Sequence, residues 1–533
     1  MDIPSLFMIP SAVSSGKVHS VFPNSTDADF DFNRDSSATR VNSQGLIETV
    51  GYFGSELITN GGFDSAAGWT AQNTWVISNG VASSTSPNAG GSLYQQPTLT
   101  ASKIYRVTYT ISSFVSGSIR CRVGDNFGVT RTSVGTFIEE ITHTTGTRVG
   151  VQTLGDFVGS IDNVSVVEVT GDRARLNYEI EGGLVNTKPS LLLELQSTNL
   201  ITYSEDFNNG WSVNQTTRVA NAGVCPDGTN NALNLIANVA SSVHLLSATA
   251  STTNQRTMSI FAKQNGYTRF RFNTGSSGNG FASFNLANGT VAVTGGTFFN
   301  NAKIESLPND WYRCSMTMNS GGGTTVTIAM EDDAGNVTFT GDGTNGILLW
   351  GGMLEEQSYA TSYIPTNGST QTRAAETCNG AGTSSILPSE EGILYIDMTG
   401  LADDGTARTF SINNTVSNRV FIQLRSTTGQ VNSGVVVSGS LQGSSLSHNI
   451  SQTSNIKAAF RYKSSDYKFY VNGSQVASQS SGNTFSAGTL NDISFDSGDG
   501  AEDFYGKIRD IRVYNTKEMT DSEVDILLTK ITS

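Results

Sequence analysis

Apolar and polar residues alternate with period two through most of this chain. Ile104-Tyr105-Arg106-Val107-Thr108-Tyr109-Thr110-Ile111 and Tyr467-Lys468-Phe469-Tyr470-Val471 are clear cases. Side chains of a strand point alternately to opposite faces, so such runs predict half-buried β-strands. Short turns rich in Gly and Asn separate them. Asn472-Gly473 suits a two-residue hairpin turn with positive φ at both positions. Helical periods are nearly absent. The clearest helix follows Thr520, over Asp521-Ser522-Glu523-Val524-Asp525-Ile526-Leu527-Leu528, with a Thr cap and Glu three residues on. The pattern predicts an all-β chain of jelly-roll or β-sandwich modules.

One strand-and-turn phrase occurs twice. Leu57-Ile58-Thr59-Asn60-Gly61-Gly62-Phe63-Asp64 runs on to Gly68-Trp69. It returns as Leu200-Ile201-Thr202, then Glu205-Asp206-Phe207 and Gly210-Trp211. A phrase repeated at domain spacing means repeated modules rather than one large catalytic core. The chain has 533 residues, room for three or four domains. The first repeat opens a sandwich over 52–171 that closes with Ile161–Val169. It interrupts an N-terminal adaptor made of 1–50 plus 172–196. A second sandwich covers 197–374 and a third 375–533. In the third, the last strand Lys507–Tyr514 cannot put Ile508, Ile511 and Val513 on one face under strict alternation, so it should be buried on both faces near its start or carry a bulge.

Composition narrows the function. The chain has 56 Gly, 10 Pro, 15% charged residues and a net charge of -14. Nucleic-acid binding needs clustered Lys and Arg, so no nucleic-acid partner is expected. No apolar run is long enough to span a bilayer. The start of the chain lacks the basic region of a secretory signal. Cys121, Cys225, Cys314 and Cys378 form no CxxC pair. Cys225 and Cys314 could pair, but isolated buried thiols are the default.

Catalytic sets are not evident. His19, His143, His244 and His448 are scattered, and no HExxH or nucleophile elbow occurs. A triad can still assemble from separated residues. Glu355-Glu356 and Asp332-Asp333 are adjacent pairs, whose side chains would point to opposite faces of a strand. The expectation is a non-enzymatic protein. For glycan binding, exposed aromatics are needed; Trp69 and Trp211 share a structural position, while Trp75 and Tyr94 are freer candidates. The apolar segment Ile3-Pro4-Ser5-Leu6-Phe7-Met8-Ile9-Pro10 is a candidate docking element, with Ile3, Leu6, Phe7 and Ile9 as contact residues. The alternative is a strand completing a neighbouring sheet.

Several phrases resemble a family of bacteriophage virion proteins known as tail or head fibre proteins. They are Ser36–Glu48 (SSATRVNSQGLIE), Pro189–Glu194 with Ser197–Leu200, and Tyr359-Ala360-Thr361-Ser362-Tyr363-Ile364-Pro365-Thr366. The last ends what resembles a carbohydrate-binding sandwich. Phe504–Asn515 resembles the final strand of laminin-G/concanavalin-like sandwiches. The resemblance implies a virion-surface fibre or spike, docked to capsid or tail proteins by its N-terminus and adhering to host-surface glycans. A capsid decoration role and a glycan depolymerase are its alternatives. It also implies a homo-oligomer, with a trimer the common case, although no coiled-coil heptads are seen. In sandwiches of this look, an acid after the first strand and one in the last often hold structural Ca²⁺. The matching positions are Asp64 and Asp162 in the first sandwich, and Glu205 or Asp206 with Glu355 in the second. The plainer reading is solvated turn acids.

Overall fold

A computed structural model of the chain describes residues 3–14, 16–73, 75–85, 90–171, 173–249, 252–274, 279–321 and 324–533. Strand makes up 53% of the described residues and helix 4%, so this is an all-β, multidomain β-sandwich protein.

The last sandwich is larger than 375–533. One of its sheets runs in the order Arg175–Glu181, Leu184–Leu193, Gly506–Asn515, Glu391–Gly400, Ile456–Lys463, Tyr467–Val471, Ser474–Gln479. The far edge of Gly506–Asn515 is shared by two short partners. Leu191, Leu192 and Leu193 pair with Ile508, Lys507 and Gly506. Leu6, Phe7 and Met8 pair with Val513, Arg512 and Ile511. A second sheet, built around Arg408–Thr415, Asn418–Leu424 and Gln430–Val437, closes the core. Residues 1–50 and 172–196, expected as a separate docking adaptor, are therefore integral to this sandwich. Leu6, Met8, Val18, Phe30, Phe32, Leu191 and Leu193 share one core cluster with Ile396, Phe410, Val420, Phe460 and Ile511. Two further sandwiches interrupt this base.

The base also shows how alternation is reset. Asp397 pairs with Asp510 but Met398 with Ile508, which leaves Arg509 as a bulge. The extra residue places Ile508, Ile511 and Val513 all in the same core, fully buried. Asn472 (φ 46°) and Gly473 (φ 83°) make the expected hairpin turn. Helix Asp521–Thr532 begins with the expected capping box of Thr520 and Glu523. Its Val524, Leu527, Leu528 and Ile531 lie on Ile393, Tyr395, Ala459, Tyr470 and Tyr514, covering the outer face of the sheet.

The first inserted sandwich has two long strands, Ile104–Val123 and Val149–Gly171, paired along most of their length. Its opening strand, Tyr52–Glu56, pairs with the end of its closing strand. Glu56 ties these ends, accepting from the N–H of Ile58 at 2.9 Å and of Val166 at 2.8 Å. The second inserted sandwich stacks two six-stranded sheets around Phe270, Phe272, Phe284, Met316 and Ile328. Its ends pair as Ser197–Asn199 with Gln371–Arg373. The two inserts touch where Arg131 donates to the side chain and carbonyl of Asn367, both at 2.6 Å.

The repeated phrase gives the two inserts a common corner. Trp69 Nε1 donates to Asn60 O at 3.0 Å, and Trp211 Nε1 to Tyr203 O at 2.8 Å. The rings pack on Phe63 (centroids 5.0 Å apart) and Phe207 (5.3 Å). Trp69→Ala and Trp211→Ala should each destabilise their own sandwich by about 3–5 kcal/mol, with the other insert unaffected. Hydrogen exchange resolved by sandwich checks this; a loss spread over both inserts would contradict it.

Candidate functional site

The three family-like phrases meet at one place. Arg34 and Ser36 stand before the first insert and Arg175 just after it. Glu194 stands before the second insert, and Arg373 and Glu376 just after it. Arg34 Nη1 donates to Glu376 at 2.7 Å and its Nη2 to Val50 O at 3.2 Å. Arg175 donates to Glu376 at 2.9 Å through Nε, with a second short bond through Nη2, and to Glu194 at 2.8 Å. Arg373 pairs with Glu194 at 3.0 Å. Ser362, from the third phrase, donates to Glu194 through N at 2.8 Å and through Oγ at 2.7 Å. Every one of the five charged side chains is at most 3% exposed. Burial alone would raise the carboxyl pKa values. The surrounding guanidiniums overcome it, holding Glu376 below its ordinary value and pulling Glu194 down to about 2. The network clasps the chain crossings through which both inserts leave the base.

Beside the clasp lies a cleft of about 680 Å³ between the second insert and the base. One wall comes from strands Phe299–Ser306 and Tyr312–Met318, the other from Arg175–Glu181 and the turn 399–404. Most of its charges are matched internally, while Arg313 donates only to neutral groups, among them Thr361 O at 2.6 Å. Lys303 pairs with Glu305 at 2.6 Å, Arg40 with Glu48 at 2.7 Å and Arg509 with Glu179 at 2.7 Å. Burial would raise the Glu179 pKa, but Lys507 and Arg509 hold it below the ordinary value. Asp404 pairs with Arg408 at 2.9 Å, and Asp403 accepts from Gly429 N–H at 2.9 and 2.8 Å. Two buried polar atoms of the lining have no hydrogen-bond partner among the described residues: the Tyr359 hydroxyl and Arg313 Nε. Buried polar groups are almost always satisfied, so a small shift of the lining that uncovers these two would offer them to a hydroxyl-rich guest or water.

The structure relocates most of the residues singled out from sequence. Trp75 and Tyr94 are not free stacking faces. They are 5% and 7% exposed, Trp75 against Phe157 in the core and Tyr94 beneath the Arg148 guanidinium. Leu6 is fully buried and Phe7 and Ile9 half-buried, so of the four docking residues only Ile3, 71% exposed, stays open. The alternative, a strand completing a sheet, is what forms. The four cysteines are buried free thiols.

The acids of the second insert do not fit calcium. Glu355 is fully buried and accepts from Ser197 Oγ at 2.6 Å, from Thr361 N at 3.1 Å and from Thr361 Oγ1. Glu205 accepts from the Tyr363 hydroxyl at 2.8 Å and Asn231 at 3.0 Å. Burial raises both pKa values despite these bonds. Asp206 closes a turn by accepting from Asn208 N at 3.0 Å. Asp64 and Asp162 lie on adjoining segments, joined by Val164 N donating to Gly61 O at 2.9 Å. Asp64 is exposed, and Asp162 accepts from Asn163 N at 2.6 Å. Among the described residues no group of three or more His, Cys, Asp or Glu is placed to hold one metal ion. Carbonyl oxygens would have to complete a site at this pair.

One relay escaped sequence reading. Ser14 Oγ lies 2.8 Å from His19 Nε2, and His19 Nδ1 lies 2.7 Å from Asp29 Oδ2. Asp29 also accepts from Ser20 N at 2.9 Å. The set sits on a hairpin of the base and is not part of the cleft lining.

Residues 391–525 match the family model of the concanavalin A-like lectin/glucanases superfamily. Among solved structures, the chain is similar to the CBM40 of the Ruminococcus gnavus IT-sialidase bound to α2,3-sialyllactose. Identity is 18%, with 28% of this chain and 87% of that chain covered and a TM-score of 0.23. It is also similar to domains LG4-5 of the mouse laminin α1 chain at 10% identity, covering 60% and 92%, with a TM-score of 0.20. Likeness at this level says nothing of ligand or role. No curated protein matches the chain. The family match establishes a laminin-G-like sandwich at the heart of the base. No helix among the described residues is long and apolar enough to cross a membrane.

Proposed function

We propose that this protein is a non-enzymatic, glycan-binding virion protein, a fibre or spike that meets host-surface sugars. The observation that carries the binding function is the cleft. It is polar, most of its charges are paired internally, and just beneath its surface lie a tyrosine hydroxyl and a guanidinium N–H without partners among the described residues. Such a lining suits neutral sugar hydroxyls better than a strongly charged ligand. The lectin-type family match over 391–525 supports the same reading. The phage phrases support the virion setting, with capsid or tail proteins as partners and a homo-oligomer, for which a trimer is the first expectation. A capsid decoration protein is the runner-up.

The full chain should bind a subset of neutral oligosaccharides on an array without releasing reducing ends. Tyr359→Phe should weaken that binding about 2–10-fold, the worth of one neutral hydrogen bond. Failure to bind any sugar would overturn the reading. Reducing-end release would favour a depolymerase. The Ser14–His19–Asp29 geometry offers a second enzyme test. A fluorophosphonate should leave Ser14 unmodified, whereas covalent labelling lost in His19→Ala would make this chain a serine hydrolase.

Structural Ca²⁺ at Asp64 and Asp162 belongs to the same proposal. At about a hundred times its Kd it would add ~2.7 kcal/mol to the first sandwich. Melts of the full chain and of Asp64→Ala, in calcium and in chelator, decide this. Coincident parent curves would leave Glu56 and the backbone alone holding the ends.

A further inference from the structure

The first insert carries a concentration of positive charge on one face of a chain whose net charge is -14. Strand Ile104–Val123 ends in the alternation Ile119-Arg120-Cys121-Arg122-Val123. Ile119, Cys121 and Val123 are fully buried in the core, so Arg120 and Arg122 point to the opposite face. Across the sheet, Gly150 is paired with Arg122 on one side and with Tyr94 on the other. Phe127 pairs with Arg122 from beyond. The row therefore reads Tyr94, Gly150, Arg122, Phe127. Gly150 has no side chain, and a Cβ there would lie 2.2 Å from Leu93 O. The floor between Tyr94 and Arg122 is thus kept low by a backbone constraint.

Three guanidiniums surround this floor. Arg120 Cζ lies 3.6 Å and Arg122 Cζ 5.2 Å from the Phe127 ring centroid. Arg148 Cζ lies 4.6 Å from that of Tyr94. Their partners are mostly neutral. Arg120 donates to Gln152 Oε1 at 2.8 and 3.2 Å, and Arg122 to Gly124 O at 2.7 and 3.0 Å. The Arg148 guanidinium makes no hydrogen bond or ion pair among the described residues, although its carbonyl accepts from Gly124 N–H at 2.8 Å. Among the described residues one carboxylate, Asp125, pairs with the group, 3.4 Å from Arg122 and itself 62% exposed. Burial lowers the Arg122 pKa, and the charges of Arg148 and Arg120 lower it further. Like charges crowded this way are stabilised by an anion. Phe127 is 38% exposed beside them, leaving ring surface for an apolar sugar face.

We propose that this face of the first sandwich is a second binding site, for an anionic saccharide whose carboxylate or sulfate meets the half-buried Arg120 and Arg148, with Arg122, only 6% exposed, adding its charge from beneath, while its ring lies on Phe127. The site extends the glycan-binding reading and rests on it. It differs from the cleft in ligand class, because here the charges are not matched from within.

The test is binding of the full chain to polygalacturonate, dextran sulfate and unmodified dextran at low and high salt, with duplex DNA as a charge control. At least one acidic polysaccharide should bind, more weakly as salt rises. Arg148→Gln and Arg120→Gln should each weaken that binding about tenfold, as expected for one charge-assisted contact. Arg419→Gln, a cation over the Phe421 ring in the base, should leave it unchanged. Polygalacturonate against dextran sulfate separates a carboxylate from a sulfate preference. Acidic polysaccharides binding no better than dextran would overturn the proposal, as would unchanged affinity in Arg148→Gln or equal binding of DNA. Neutral sugars on the array report separately on the cleft. If they bind while acidic ones do not, this inference fails and the glycan reading stands.

Discussion

Glu376→Gln is expected to destabilise the base sandwich by about 3–5 kcal/mol, although no catalytic or binding residue is touched. The carboxylate is fully buried between Arg34 and Arg175, and its loss leaves two guanidiniums with too little negative charge. Removing the charges together should be milder. Replacing Arg34, Arg175 and Glu376 with apolar residues of similar volume should recover much of the loss, since a buried ion network repays its desolvation only in part. The pH dependence comes from the lowered carboxyl values. Glu194 and Glu376 titrate lower in the folded chain than their ordinary 4.5, Glu194 at about 2. Their contribution is present above about pH 4.5 and is lost as pH falls toward about 2. Denaturant midpoints near neutral pH and near pH 3 measure both effects, and Glu194→Gln should flatten the acid limb. A Glu376→Gln midpoint within about 0.5 kcal/mol of the parent would show that the clasp is dispensable.

What could be read from the sequence was local. The period-two runs, the Asn472-Gly473 turn, the Thr520 capping box and the bulge in the last strand all depend on a few consecutive residues, and each forms. The repeated Trp69 and Trp211 phrase was legible for the same reason: nine or so residues build the whole corner. The clasp was only half legible. Its phrases stood out, but nothing within Ser36–Glu48 says that Arg34 will meet Glu376. Long-range pairing of charges leaves no mark at either end. Glu205 and Glu355 misled because an acid beside a strand looks the same whether its oxygens face an ion or accept from hydroxyl and amide donors. The donors Ser197, Thr361 and Tyr363 lay in the very phrases that drew notice. Trp75 and Tyr94 misled because alternation tells which residues share a face, not whether that face is covered. The Arg120-Cys121-Arg122 alternation did not stand out in sequence, and Arg148, which completes the group, comes from the loop just before strand Val149–Gly171.

Deleting residues 1–15 should unfold the base sandwich and leave both inserts folded. The apolar start reads in sequence as a docking element whose loss would spare every sandwich. In the fold, Leu6 and Met8 are fully buried and pair with Val513 and Ile511, roughly at the other end of the chain. Ser5 Oγ and N also donate to Val513 O, at 3.2 and 2.7 Å. The deletion thus exposes the edge of Gly506–Asn515 and opens the core beneath it. Leu6→Ala is the graded version, expected to cost about 2–5 kcal/mol through lost burial and the cavity left behind. Ile3→Ala is the control; Ile3 is 71% exposed, and its change should stay within about 0.5 kcal/mol. Limited proteolysis with fragment identification reads the outcome, because the base is made of three separated stretches while each insert is continuous. Cleavage confined to 16–50, 173–196 and 375–533 is the expected result. A truncated chain that melts as the parent does would return the segment to the surface and make it free to dock.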